Sequence, residues 1–202
     1  MDHVAPPTSI ALGAVTLTRW TAGDDRRALA AVRASLPELI PWMPWASDAY
    51  DEVASAAFLA RAEEEWATGA AYDYALLGTA GEGAADPDGP VLGSAGMHRR
   101  IGPGGMVVGY WVHSAHAGHG LGTRAAAGLT AAALALPDVT HVEIHHDAGN
   151  RASGRIPEKL GFTRVGEIGA TRDSPGATGV HVIWRLDAAD YPTSPIPALL
   201  RR

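Results

Sequence analysis

Hydrophobic and polar residues follow the periods of strands and helices in turn along the first third of the chain. Residues 14–19 alternate as in a half-buried strand, and residues 21–24 offer a helix start before an alanine-rich run to Ser35. Apolar positions within residues 48–68 recur at helical spacing, and Gly69 suits the end of that helix. The pattern predicts a strand followed by two helices.

Residues 36–45 interrupt this pattern. The segment contains three prolines, and a proline inside a helix removes a backbone donor and clashes with the preceding turn. We therefore expect a loop between the two helices. This loop carries Trp42 and Trp45.

The rest of the chain alternates strands with helices. Helical patterns cover residues 123–136 and 151–160, and a glycine-rich turn at 101–105 predicts a hairpin between its flanking strands. Apolar runs bounded by turn residues predict six strands, at 72–77, 91–98, 106–112, 140–146, 163–168 and 180–186. The order of elements predicts an α+β fold around one mixed sheet.

Length and composition fit one globular unit. The chain has 202 residues, of which 47% are hydrophobic and 19% charged, enough to bury one sizeable core. We predict a single domain over residues 1–202, with its core at about 14–187 and a C-terminal tail at 188–202.

Charge and residue usage exclude several classes of function. A net charge of −6 gives no reason to bind nucleic acid, and the absence of cysteine removes disulfides, thiolate metal sites and a cysteine nucleophile. No apolar stretch reaches the roughly 18 to 20 residues that span a bilayer, and the start of the chain is acidic where a signal peptide is basic. We therefore expect a cytoplasmic protein without nucleic-acid or membrane partners.

The nine histidines do not predict a metal site. His145 and His146 are consecutive on a predicted strand and point to opposite faces, whereas His141 and His145 share a face but lie about 13 Å apart. Neither pair can bind one ion, so we expect no metal.

A glycine-rich loop follows the strand that ends at Val112. Gly118, Gly120 and Gly122 let backbone N–H groups converge, and the helix that begins near Thr123 adds a partial positive charge. The loop suits a phosphate or pyrophosphate, although a flexible turn has the same composition. The third glycine is one position too early for a dinucleotide fingerprint, and no lysine stands where a Walker loop needs one.

Several separated motifs together resemble the GNAT superfamily of N-acetyltransferases, and more narrowly its RimJ/RimL branch. They are Gly109-Tyr110-Trp111-Val112-His113, Gly118-His119-Gly120-Leu121-Gly122-Thr123, His145-His146-Asp147 through Asn150 and Ser153, and Glu158-Lys159-Leu160-Gly161-Phe162. The resemblance implies an α/β/α sandwich whose sheet has about seven mostly antiparallel strands, with two central parallel strands that splay apart.

The resemblance also implies that acetyl-CoA is the cosubstrate and binds at this splay, with its pyrophosphate on the 117–123 loop. The family pattern begins with Gln or Arg where this chain has Ala117, so we expect weaker but not abolished binding. The implied cofactor-binding residues are Val112, Ala117, Gly118, His119, Gly120, Leu121, Gly122, Thr123, Asn150 and Ser153.

Transfer of an acetyl group to an amine needs an acid for the departing thiolate and donors for the developing oxyanion. Asn150 and Ser153 match the family's Asn-x-x-Ser, which makes Ser153 the candidate acid, although both residues are also common helix caps. For the oxyanion, the resemblance indicates backbone N–H at Val112 or His113, freed by a bulge. Pro157 is expected to leave the carbonyl of Ser153 without its helical partner.

The general base is less clear from the sequence. Many relatives carry Glu where this chain has Val107. His113, His145 and His146 are the alternatives, with His113 named as a catalytic candidate, and bulk water can also serve because an α-amine with a pKa of about 8 is partly neutral.

For the acceptor side we name Trp42, Trp45, Tyr74 and His146 as substrate-binding candidates, although aromatic residues of this kind also anchor loops and cores. The sequence leaves three functions open: acetylation of a protein N-terminus, acetylation of a small-molecule amine, or a non-catalytic acetyl-CoA-binding module. We also expect a homodimer.

Overall fold

A computed structural model describes residues 4–79, 85–86 and 89–201, in which one eight-stranded sheet organises the chain. In spatial order the strands are β1, β2, β3, β4, β5, β6, β8 and β7. Their bounds are β1 Ser9–Ala11, β2 Val15–Arg19, β3 Ala71–Gly78, β4 Val91–His98, β5 Gly105–Val112, β6 His141–Asp147, β7 Thr163–Gly169 and β8 Val180–Asp187. All neighbouring pairs are antiparallel except β5 and β6, which are parallel.

The seven predicted strands are confirmed, each to within one residue at either end. The additional strand is β1, a three-residue segment that pairs with β2 at the sheet edge. Three residues are too few to show an alternating pattern, so the sequence did not reveal it.

In the described part of the chain, five α-helices cover the two faces of the sheet: α1 Asp25–Leu39, α2 Glu52–Thr68, α3 Leu121–Leu134, α4 Arg151–Lys159 and α5 Ile196–Leu200. Two separate apolar cores show this layering. Leu129 of α3 packs with Met97 and Val142 on one face, whereas Leu59 of α2 packs with Ala28 and Leu77 on the other. The α/β/α sandwich is confirmed.

The prediction of a loop from residue 36 is wrong in part, because α1 continues through Pro37 to Leu39. Pro37 lies in the last turn of the helix, where its missing N–H removes only one helical hydrogen bond. The helical pattern resumes at once, since the N–H of Ile40 donates to the carbonyl of Leu36 at 2.9 Å. The loop proper begins after this point.

Residues 188–201 are also more ordered than a tail. Ile196 at the start of α5 is fully buried in the core that α3 forms with the sheet. Pro195 lies against Gly161, where even a Cβ atom would come within 2.7 Å of its ring. The last segment therefore closes one edge of the core. No described helix is both long and apolar enough to cross a membrane.

This packing predicts a stability difference between two isoleucines. Ile196→Ala leaves a cavity in the core and is expected to reduce the free energy of unfolding by about 2–4 kcal/mol. Ile168→Ala on β7 is the matched control, because Ile168 is 47% exposed, and it should change stability by less than about 1 kcal/mol. Urea unfolding measures both, and equal effects would mean that α5 does not contribute to the core.

Candidate active site

The site begins where the two parallel strands stop pairing. β5 and β6 are in register at Gly105–His141, Met106–Val142 and Val107–Glu143, and the pairing then ends. Both strands continue, β5 to Val112 and β6 to Asp147. Their diverging ends leave an opening in the middle of the sheet, as the family resemblance implied.

A cavity of about 540 Å³ occupies this opening and reaches both faces of the sheet. On the α4 side it is lined by Asn150 and Ser153, and on the α1–α2 side by Phe58 and Trp111. A molecule on one face can therefore meet a molecule on the other face inside the gap.

Backbone donors face the gap, but not for the reason the sequence suggested. The register between β4 and β5 is regular from Gly93–Val112 to His98–Val107, so the predicted bulge is absent, and the N–H of His113 already donates to Leu92 at 2.8 Å. Because N–H directions alternate along a strand, the N–H of Val112 points away from β4 and toward the gap. The Val112 N–H has no partner on that side among the described strands because β6 has diverged, and not because of a bulge.

Two hydroxyl groups meet at the α4 side of the gap. The Ser153 Oγ lies 3.3 Å from the Tyr110 hydroxyl, which is also 3.3 Å from the Ser153 carbonyl. That carbonyl accepts no helical bond from Pro157, as predicted, and Tyr110 fills its place. Asn150 caps α4 by accepting the N–H of Ser153 at 3.1 Å, so capping is one role it certainly has.

Tyr110 remains a proton donor over a wide pH range. Burial raises the pKa of Tyr110 to about 12, and the hydrogen bond to Ser153 offsets only part of that rise. The pair therefore presents neutral hydroxyls to the gap.

Hydrogen bonding distinguishes the candidate histidines. His146 lines the cavity, but its Nε2 accepts from Trp184 at 3.1 Å and its Nδ1 faces the Asp147 carbonyl at 2.8 Å. A neutral imidazole has one donor and one acceptor nitrogen, so both are already used. His113 lies outside the cavity lining, and its Nδ1 accepts the N–H of Ala115 at 3.1 Å.

His145 differs from both, because the lone pair of its neutral ring accepts no hydrogen bond within the described part of the chain, whereas His113 and His146 each use theirs. Its Nε2 lies 2.6 Å from a carboxylate oxygen of Glu143, so the proton of the neutral ring is on Nε2. Nδ1 then carries a lone pair, and it makes no hydrogen bond with any residue the structure describes. His145 lines the cavity.

Glu143 is held charged by its neighbours. Burial opposes that charge and by itself would raise the pKa of Glu143, but hydrogen bonds from His145 and Arg185 outweigh burial and lower the pKa. Arg185 donates to the other carboxylate oxygen at 2.6 and 2.9 Å. Glu143 thus fixes both the tautomer and the orientation of His145.

The sequence did not identify Glu143, although there was a signal. Val142-Glu143-Ile144 places a charged residue inside an apolar strand, and a buried carboxylate needs partners. Val107, the position at which the family resemblance implied a Glu, is directly paired with Glu143 across the two strands. The carboxylate missing from one strand is therefore present on its neighbour.

The glycine-rich loop has the predicted backbone geometry. Gly118 and Gly120 have φ values of +80° and +78°, a region that favours glycine, and Gly120 is the N-cap of α3 without any side-chain cap. The first N–H groups of α3 are therefore available to an anion. The loop is exposed and lies outside the cavity lining, while Gly122 packs next to Ile156 of α4.

The predicted acceptor residues divide into two groups. Trp42 and Trp45 line the cavity, with Trp45 against Tyr50 at a ring distance of 5.8 Å. Tyr74 does not reach the cavity, because it is fully buried next to Trp66 and its hydroxyl donates to the Pro7 carbonyl. Side chains alternate along β3, and Tyr74 faces the opposite core.

Comparison with known proteins identifies the family. The model of the acetyltransferase (GNAT) domain matches residues 14–163. The chain belongs to the GNAT acetyltransferase family. No sequence among curated proteins matches it.

Solved structures of this family share the fold at low sequence identity. Microcin C7 self-immunity acetyltransferase MccE, in complex with acetyl-CoA and AMP, has a TM-score of 0.78 at 15% identity, covering 90% of this chain and 97% of its own. RimJ of Mycobacterium smegmatis, in complex with CoA-disulfide, has a TM-score of 0.77 at 20% identity, and the match covers 99% of this chain and 94% of RimJ. Ribosomal-protein-S5-alanine acetyltransferase of Vibrio fischeri has a TM-score of 0.77 at 17% identity, and the match covers 92% of this chain and 99% of that protein.

Proposed function

We propose that this GNAT family member is an acetyl-CoA-dependent N-acetyltransferase that moves the acetyl group directly to a primary amine. One arrangement carries the proposal: two hydroxyls on one side of the strand gap and an imidazole with a free lone pair on the other. The similar structures that hold acetyl-CoA or CoA-disulfide support the choice of cosubstrate.

The structure offers a site for the pyrophosphate of acetyl-CoA and another for its thioester. The uncapped start of α3 suits the pyrophosphate, and no atom lies within 4 Å of a Cβ built on Gly118 or Gly120, so the loop is open to a ligand. The cavity beside Ser153 suits the thioester. The thioester supplies the acetyl group.

In the proposed reaction, His145, Val112 and Ser153 each stabilise a charge or transfer a proton. The acceptor nitrogen forms a C–N bond with the acetyl carbon as the C–S bond breaks, and His145 Nδ1 takes the proton that the nitrogen loses. The Val112 N–H stabilises the negative charge that develops on the carbonyl oxygen. Ser153 gives a proton to the departing thiolate while Tyr110 supports that hydroxyl, and solvent in the cavity carries the proton from His145 back to Ser153, which restores both residues.

The proposal leaves the acceptor as a protein N-terminus or a small-molecule amine; a ribosomal-protein-S5-alanine acetyltransferase and a microcin C7 self-immunity acetyltransferase both share this fold. Free-thiol release from acetyl-CoA, measured across a panel of peptides, polyamines and aminoglycoside-like compounds, tests the function. We expect release above the rate without amine for at least one class. Tight acetyl-CoA binding without thiol release for any amine would instead support a non-catalytic binding module.

Replacing Ser153 tests the acid. Ser153→Ala is expected to lower kcat at least about tenfold with little change in acetyl-CoA affinity, because the hydroxyl acts on the leaving thiolate and not on the ground state. Ser9→Ala, on the exposed edge strand β1, is the control. Steady-state kinetics and calorimetry measure the two quantities, and an unchanged kcat would remove Ser153 from the mechanism.

Two glycine substitutions separate cofactor binding from backbone strain. Gly120→Val and Gly102→Val both place a β-branched residue at a positive φ in open space, so both should cost a similar stability of about 1–2 kcal/mol. Only Gly120→Val should weaken coenzyme A binding, because Gly102 lies at the opposite end of β5. Calorimetric titration decides this, and retained affinity in Gly120→Val would contradict the assignment of the loop.

The base is tested by His145→Gln, with His141→Gln on the same strand face as the control. His145→Gln should lower kcat about 100-fold near neutral pH. The deficit should shrink as the pH rises past the acceptor's own pKa, about 8 for an α-amine, since the amine then loses its proton to solvent. A pH-independent deficit, or an equal loss in His141→Gln, would argue against proton transfer to His145.

A further inference from the structure

A row of residues crosses the sheet from the strand gap into the α1–α2 half of the cavity. Asp73 on β3 pairs with Gly96 on β4, and Gly96 pairs with Gly109 on β5. Continuing the register of β5 with β6 by two residues from Val107–Glu143 places His145 opposite Gly109, across the gap. All four residues of the row line the cavity.

The two glycines leave an open channel above the sheet between Asp73 and the strand gap, here called the corridor. A Cβ on Gly96 would lie 1.9 Å from the Asp73 Oδ1, so the carboxylate occupies the space that any other residue at position 96 would fill. Gly109 has nothing within 4 Å of its Cβ position. The floor of the corridor, formed by Gly96 and Gly109, therefore carries no side chains.

Asp73 ends the corridor with a buried negative charge. The residue is 8% exposed, and its Oδ1 lies 3.4 Å from the Nε2 of His98. Glu65 places a second carboxylate within 4.8 Å of both. Its buried Oε2 makes no hydrogen bond with the described residues, and the nearest cation is the Nε of Arg61 at 3.9 Å.

The hydrogen bonds of His98 favour an organic cation over a metal ion as the partner of these carboxylates. Arg100 has only donors and contacts the His98 Nδ1 at 3.0 Å, so Nδ1 is the acceptor and Nε2 carries the proton of the neutral ring. His98 then has no lone pair for a metal. Two carboxylates beside an N–H donor still need positive charge, which a protonated amine or guanidinium supplies with its own N–H groups.

Other groups around the corridor are compatible with this occupant. Trp20, Phe58 and Trp111 line the same half of the cavity, and aromatic faces attract cations. Arg61 and Arg100 also line the cavity, but both are exposed and are therefore screened by solvent, unlike Asp73.

We propose that the acceptor carries a second cationic nitrogen, bound by Asp73, in addition to the amine that is acetylated beside His145. The Asp73 carboxylate lies over Gly96, and two strand intervals of about 4.8 Å separate Gly96 from His145, the second of them across the gap, so the two nitrogens of the acceptor are about 10 Å apart. This inference rests on the proposed function and names the class of acceptor: a long diamine or polyamine, or a peptide with a basic side chain near its N-terminus.

Binding to the protein saturated with coenzyme A tests the inference without requiring turnover. Octamethylenediamine is compared with octylamine, the same chain with one amine fewer, and a tripeptide with lysine at its third position is compared with the norleucine version. The expected result is at least about tenfold tighter binding of the dication in one pair or both, and the pair that shows it identifies the source of the second charge.

Asp73→Asn should abolish this preference, because it should weaken the binding of octamethylenediamine at least about tenfold more than that of octylamine. Glu64→Gln, the same loss of one charge at an exposed position of α2, should retain the preference. Thermal unfolding of both variants reports whether Asp73 acts on the fold instead. Equal binding of dication and monocation by the unmodified protein, or a preference that survives in Asp73→Asn, would overturn the inference.

Thiol release on the same acceptors separates this inference from the proposed function. Acetylation of octylamine and octamethylenediamine with equal kcat/KM would refute the role of Asp73 and leave the acetyltransferase intact. Selective binding of the diamine without thiol release would refute acetyl transfer and leave the cation site.

Discussion

The separation of β5 from β6 after Val107 and Glu143 is the constraint on which the rest of the structure depends. Within a sheet, neighbouring strands satisfy each other's backbone groups, and strands that diverge leave those groups exposed in the interior. Here the exposed groups line a cavity that passes through the sheet, so they can bind a ligand instead of a strand. The opening both separates the two reactants and gives them one place to meet.

A second consequence of the opening is that each side has its own chemistry. On the α4 side, Pro157 leaves a carbonyl free and Tyr110 occupies it, which holds the Ser153 hydroxyl at the edge of the gap. On the other side, Glu143 orients His145 through a hydrogen bond of 2.6 Å. A helix irregularity and a buried carboxylate, which look like structural details separately, together position the two residues that we propose as acid and base.

Much of the fold was predictable because its signals are local. Period-2 alternation located one strand and apolar runs between turn residues located six more, and the glycine-rich loop was placed correctly at the start of α3. Candidate site residues could be located where they are close in sequence, and the structure places Asn150 and Ser153 together beside the gap. Tyr74 failed as a cavity residue because the face that a strand side chain occupies depends on which core packs there, and Glu143 was missed because its importance comes from pairing with a distant strand.

The side-chain-free floor made by Gly96 and Gly109 has a consequence for protein engineering. A library that varies the aromatic walls can reshape the space available to an acceptor, whereas even alanine at position 96 must displace the Asp73 carboxylate. Selections for altered substrate preference should therefore randomise the walls and hold the floor constant.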